Sequence, residues 1–152
     1  MPHIKPKYLE PQRGTGFHGA FLGIAAEAIT EGDIVIVAGV SGDQLKWKQA
    51  DANLTCLMAG IMGVADHTVA SGGTLRVVSH KIVANIDTSS SAIGKPVYLL
   101  ADGTGEHSLT APTEDIIVGQ VLVAATVANG GKVLLAPTLC CASVDGQAYD
   151  VA

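Results

Sequence analysis

The stretch IMGVADHTVASGGTLRVVS, residues 61–79, decides the fold class. Two short runs rich in branched apolar residues, Leu57–Val64 and Thr74–Ser79, flank the turn-forming Ser71-Gly72-Gly73. Branched side chains suit an extended, pleated backbone, and glycine supplies the backbone angles of a tight turn. Each run has the length of a strand and is too short for a stable helix. The same order of elements occurs twice. The first copy reads Ala28-Ile29, Gly32-Asp33-Ile34-Val35, Ile61-Met62-Gly63, Val69-Ala70-Ser71-Gly72-Gly73 and Leu75-Arg76-Val77-Val78. The second reads Ala92-Ile93, Gly94-Lys95-Pro96-Val97, Ile117-Val118-Gly119, Val127-Ala128-Asn129-Gly130-Gly131 and Val133-Leu134-Leu135. Gly32 and Gly63 are 31 residues apart, whereas Gly94 and Gly119 are 25 apart. A duplicated β unit with unequal excursions explains this, as would chance likeness between two β-rich stretches of simple composition.

Outward from that stretch, Ile34–Val37, Lys81–Ile86, Val97–Leu100, Ile116–Ala125 and Lys132–Leu135 read as further strands. Ser41-Gly42-Asp43, Ala101-Asp102-Gly103 and Asn129-Gly130-Gly131 are the turns between them. Ala20–Ala28 fits strand or helix equally, and Gln49–Leu54 has room for a helical turn. The expected class is all-β: a small β-barrel or β-sandwich built from two similar β units, with an extended N-terminal arm. The arm is residues 1–16 and the β-rich body residues 17–152. Pro2, Pro6 and Pro11 lack a backbone donor and bias their predecessors away from helix.

The 152 residues amount to one domain. Hydrophobic residues make up 48% and charged ones 15%, too apolar for a disordered chain. Eighteen glycines argue against a helical bundle, and they lack the period of three that collagen needs. The net charge of −5 disfavours a general nucleic-acid binder. Residues 1–17 carry Lys5, Lys7 and Arg13 against Glu10, a net of +2, while the remainder has 6 basic and 13 acidic residues, a net of −7. A basic arm therefore precedes an acidic body. The longest apolar candidate, Ile116–Ala128, is broken by Gly119, Gln120 and Thr126, so no membrane span is expected. The start has charge and proline where a signal peptide needs an apolar core, which points to assembly in a cytoplasm.

Candidate chemistry is sparse. Cys56, Cys140 and Cys141 form neither a disulfide framework nor a zinc spacing. Gly14-Thr15-Gly16-Phe17-His18-Gly19 has the form of a dinucleotide fingerprint, with Asp33 near the distance of a ribose-binding acid. It follows a Pro-rich arm rather than a strand, and a hinge is the expected role. Asp66-His67 is a contiguous acid–histidine pair, and Ser89-Ser90-Ser91 lacks the context of a strained nucleophile. Asp102-Gly103-Thr104-Gly105-Glu106 lacks the alternating acidic ligands of a calcium loop and reads as a hairpin turn. No cofactor, metal or enzymatic role is expected. Trp47, in Leu45-Lys46-Trp47-Lys48, is either an interface anchor or a core or edge-strand residue flanked by protective lysines.

The body, about Ala25 to Pro137, resembles the small capsid decoration (cement) proteins of tailed bacteriophages. The likeness is carried by Ala28-Ile29-Thr30-Glu31-Gly32-Asp33-Ile34-Val35, Ile61-Met62-Gly63-Val64-Ala65 and Ser71-Gly72-Gly73. It continues in Ile93-Gly94-Lys95-Pro96-Val97-Tyr98-Leu99, Asp102-Gly103 and Ile117-Val118-Gly119-Gln120-Val121. The resemblance implies a homotrimer on the outside of an icosahedral head, partnered by the major capsid protein and stabilising the shell. Residues 140–152 have no counterpart in it. In the arm, Ile4, Tyr8 and Leu9 offer apolar area and Lys5, Lys7 and Arg13 offer charge for gripping the capsid, an expectation that extends the family's use of such arms. Two other classes stay open: a virion surface module for a host glycan or receptor, and a small trimeric β-barrel enzyme in which Asp66, His67 and His80 converge.

Overall fold

The computed structural model describes residues 20–52, 62–113 and 116–137. The strands are β1 (Ala20–Ala25), β2 (Ile34–Ser41), β3 (Gln44–Gln49), β4 (Met62–Ala65), β5 (Thr74–Val78), β6 (Lys81–Ala84), β7 (Pro96–Leu99), β8 (His107–Ser108), β9 (Ile117–Val123) and β10 (Lys132–Leu135). The only helical turn among these residues is the 3-10 turn Val127–Asn129. Among the described residues, no helix is long and apolar enough to cross a membrane. The expectation of an all-β fold holds. β1–β5 close into a barrel in the order β1-β3-β2-β4-β5, and β6–β10 form an open sheet in the order β6-β10-β9-β7-β8.

The two orders are the same cycle. Matching β6 to β1, β7 to β2 and so on converts one into the other, except that the parallel pair β1–β3 has no β6–β8 counterpart. Register supports the duplication residue by residue. Val35 faces Gly63 across β2–β4, and Val97 faces Gly119 across β7–β9. Gly32 N–H donates to Ala65 O and Gly94 N–H to Val121 O; Ala65 N–H returns to Asp33 O and Val121 N–H to Lys95 O, all at 2.8–2.9 Å. Gly32 and Gly94 both have left-handed backbones, with φ of 89° and 82°, which is why glycine recurs there. A side chain at Gly63 would collide with Val77, and one at Gly119 with the carbonyl of Leu134.

Two cores follow from this arrangement. Inside the barrel, Ala25, Ile29, Val35, Trp47, Ala65, Leu75 and Val77 pack together. Outside it, Ile34, Ile36, Met62 and Val64 meet Val97, Leu99, Val118, Val121, Val133 and Leu135 from the open sheet. β2 and β4 thus lie between both cores, which explains why Ile34-Val35-Ile36-Val37 is apolar without alternation. β5 and β10 each have one buried face and alternate (exposed or half-buried against buried) along the strand.

Several expectations shift. The ambiguous Ala20–Ala28 begins with a strand, β1, whose Gly23 and Ala25 face the barrel interior. The helical turn at Gln49–Leu54 is not formed at its start, because Gln49 ends β3 and pairs with Val35; residues 53 and 54 lie outside the described residues. The second Gly-Gly turn is preceded by the 3-10 turn, with Gly130 N–H bonded to Val127 O. The arm, the segment Leu57–Ile61, the three cysteines and residues 140–152 also lie outside the described residues.

Candidate functional site

Trp47 is fully buried. Its indole lies against Gly23, where an added Cβ would stand 2.5 Å from Nε1, and its ring centre is 6.3 Å from that of Phe21. The interface-anchor reading therefore gives way to the core reading, since a side chain with no exposed surface offers nothing to a partner. β3 alternates between the inside and outside of the barrel, so Trp47 points in while Lys46 and Lys48 point out. Ile4, Lys5, Lys7, Tyr8, Leu9 and Arg13 lie outside the described residues, as does Gly14–Gly19.

The histidine–acid set does not converge on shared chemistry. Asp66 forms ion pairs with Lys81 at 3.0 Å and Arg76 at 3.5 Å, and Lys81 also reaches Glu31 at 3.0 Å. This four-residue chain ties the start of β6 to the barrel. The bond from Lys81 holds the Asp66 carboxyl below its ordinary range, with burial opposing and Arg76 assisting. Burial works against the Lys81 charge, but the bonds to Asp66 and Glu31 outweigh it and raise the Lys81 pKa. His67 Nε2 accepts the backbone N–H of Arg76 at 3.2 Å, and the bond described for His80 is local, to Ser79. These are structural ties at the barrel wall. His107 is held below its ordinary range by desolvation, against the pull of Glu106 and Asp33. Among the described residues, no group of three or more His, Cys, Asp or Glu is placed to hold a metal ion.

The remaining motifs serve turns. Asp33, buried at the entry to β2, accepts from Thr30 N–H at 2.8 Å and from Gln49 Nε2 at 2.9 Å. Asp102 accepts from the N–H and hydroxyl of Thr104, so the glycine-rich loop is the hairpin connection between β7 and β8. Asp87 does the same for Ser89 at the head of the serine cluster.

The surface is more telling. The face of the open sheet turned away from the shared core carries a row across four strands, Ile82, Leu134, Gln120 and Pro96, set by direct register. Ile117 and Tyr98 stand opposite one another beside it. Ile82 is 56% exposed and Ile117 50%. Lys132 is the one charged residue that β6, β7, β9 and β10 place on this face. A solvent-facing side of an antiparallel sheet is ordinarily polar, so this one is suited to being covered. No sequence reading singled it out: Ile82 and Leu134 become neighbours only when β6 pairs with β10.

The class this geometry defines is an all-β protein of two repeated five-stranded units, one closed and one open, fused through a shared core. No protein-family model matches the chain, and no curated protein matches it. Among solved structures, its fold is similar to the head fiber gp8.5 N base of bacteriophage phi29, with a TM-score of 0.50 and 17% identity over 76% of this chain and 92% of that one. At that identity the likeness speaks to the fold.

Proposed function

We propose that this protein is a structural component of a tailed-bacteriophage virion, mounted as a homotrimer on the outside of the icosahedral head, where it binds the major capsid protein and stabilises the shell. The observation that carries the reading is the fold similarity to a phage head fiber base, which covers 76% of this chain and 92% of that one. The sequence resemblance to cement proteins points the same way. The physical character fits as well: a body with two cores and a largely apolar sheet face that carries one charge, Lys132. We assign that face, with Ile82, Leu134 and Ile117, to contacts between copies, and the arm, with Ile4, Lys5, Lys7, Tyr8, Leu9 and Arg13, to the capsid. Repeated weak contacts then add up to firm attachment. Assembly takes place in the host cytoplasm, and no cofactor takes part. No observation favours the glycan-binding or enzymatic alternatives; Asp66 is paired with Arg76 and Lys81, and His67 accepts the backbone N–H of Arg76.

The test is cryo-electron microscopy of undecorated heads with and without the full chain, paired with heat challenge of the same particles. Added density on the outer surface and a higher temperature of genome release are expected. Heads that stay bare at saturating protein would end the proposal. A chain lacking residues 1–16 is expected to decorate poorly; decoration equal to the full chain would remove the role given to the arm.

A further inference from the structure

We propose that the open edge of β6 receives an added strand: an extended, uncharged segment of the shell protein, with a small residue turned inward and apolar residues turned outward. This rests on the head-protein reading above. In the first unit both edges of β1 are taken, one by β5 and the other by the parallel strand β3. β6 is the counterpart of β1. It pairs with β10 on one edge and has no strand on the other among the described residues. An antiparallel partner satisfies only alternate residues of a strand, so the remaining N–H and C=O groups of β6 point away from β10 along this edge. The opposite end of the open sheet is different. Beside β8, Gly105 N–H donates to Ala50 O at 3.1 Å and Gly105 O accepts from Ile34 N–H at 2.7 Å, which seals that end onto the chain's own barrel.

Space for such a strand lies beside β6. A groove of about 550 Å³ runs between Thr30, Glu31, Gly32 and Thr68 of the barrel and all four residues of β6. Ile82 and Val83 point to opposite faces of the sheet, yet both line the groove, which places it alongside the strand rather than over one face. The walls define the occupant. Only an extended backbone matches an alternating row of donors and acceptors. Glu31 and Lys81 are the charged side chains of the groove, and they are bonded to each other at 3.0 Å, so a charged occupant finds no free counter-charge. Lys81, the one charge by which β6 could repel an added strand, is drawn back to Glu31 and Asp66. The repeat sets the side chains. Gly23 pairs with Leu75 and Val83 with Val133, and each partner lies two residues after the second glycine of its own turn, so Val83 holds the place of Gly23. Gly23 leaves the room that the Trp47 indole of β3 occupies. Val83 fills the matching room itself, so an added strand has to be small on its inward side. Ile82, 56% exposed, and the exposed Ala84 lie on the outward side, where an apolar neighbour would cover them.

The experiment follows amide hydrogen exchange of residues 81–84 by mass spectrometry, in the free full chain at two concentrations and in the chain bound to undecorated heads. Head binding is read by co-sedimentation for the wild type and three variants. Thr30→Trp narrows the groove from the barrel side, at an exposed residue, and Ala84→Lys puts a charge on the edge. Ile93→Gln, from an exposed loop of the second unit, is the control. Each variant is checked for solution mass and circular dichroism. On heads, exchange at β6 is expected to slow about tenfold or more. Both groove variants are expected to bind about tenfold more weakly with unchanged mass and spectrum, while the control matches the wild type. Unchanged exchange at β6 in the head-bound chain, or groove variants that bind as well as the wild type, overturns the inference and leaves the head-protein reading standing. Slowed exchange that grows with chain concentration in the absence of heads makes the occupant a second copy, which also overturns it. Should a groove variant misfold, the exchange of the wild type decides alone. If the wild type itself never binds heads, both readings fall.

Discussion

Replacing Trp47 by phenylalanine is expected to cost almost nothing, although Trp47 is the largest fully buried side chain of the barrel core. Its Nε1 is buried without a hydrogen-bond partner. Burying an indole N–H that loses water and gains nothing costs about 1–3 kcal/mol. Phenylalanine removes that donor and leaves a void of about 40 Å³, which at about 24 cal/mol per Å³ costs about 1 kcal/mol, with a further loss of about 1 kcal/mol in transfer. The opposing contributions cancel to within about 1 kcal/mol. Trp47→Ala lacks this compensation on packing, because it empties the space between Gly23 and Phe21, and a loss of about 3–5 kcal/mol is expected. Urea unfolding followed by far-ultraviolet circular dichroism measures both variants. If Trp47→Phe destabilises by more than about 3 kcal/mol, approaching the alanine variant, the indole N–H is satisfied in solution and the reasoning is refuted.

Other expectations follow from single contacts. Gly119→Ala drives a methyl into the Leu134 carbonyl of β10 and should cost about 3 kcal/mol by the same unfolding assay; an unchanged midpoint would contradict the close β9–β10 approach. Thr88, fully buried, donates its hydroxyl to Val123 O at 2.5 Å and accepts Ala125 N–H at 3.0 Å. Thr88→Val leaves those groups unpaired and should cost about 1–3 kcal/mol, with Thr88→Ser recovering part of it. Asp66 has a lowered folded pKa, so its stabilisation is present above the ordinary value of 3.8 and is lost as pH falls through the lower folded value. Lys81 has a raised one, so its share is present below 10.5 and lost as pH rises through the higher folded value. Asp66→Asn should flatten the acid limb of a melting-temperature profile, by about 1 kcal/mol or less for a pair this exposed; an unaltered limb would count against the pairing. Because β2 and β4 serve both cores, the single-tryptophan fluorescence and the dichroism of the whole chain should unfold at one urea midpoint, and two separated transitions would mean that the units are independent.

Local chemistry in the chain was enough to mark most of the strands, most of the turns and a candidate duplication, but it left β1 ambiguous and did not mark β3 or β8. Branched residues favour extended backbone wherever they fall, Gly32 and Gly94 fill the same left-handed position, and Gly63 and Gly119 fill the same close approach. Those are properties of a residue and its immediate neighbours, so they survive in a one-dimensional reading. The closure of one unit and the opening of the other were not legible, because the deciding feature is the parallel pairing of β1 with β3, and parallel partners carry no turn signal between them. The fate of Trp47 was likewise undecided in the chain: alternation put it opposite its flanking lysines, but only barrel closure made its side the inside. The apolar row across the open sheet is a set of residues distant in sequence, such as Ile82 with Leu134. Strand register alone brings their side chains to one surface, and register depends on pairings made across the whole molecule.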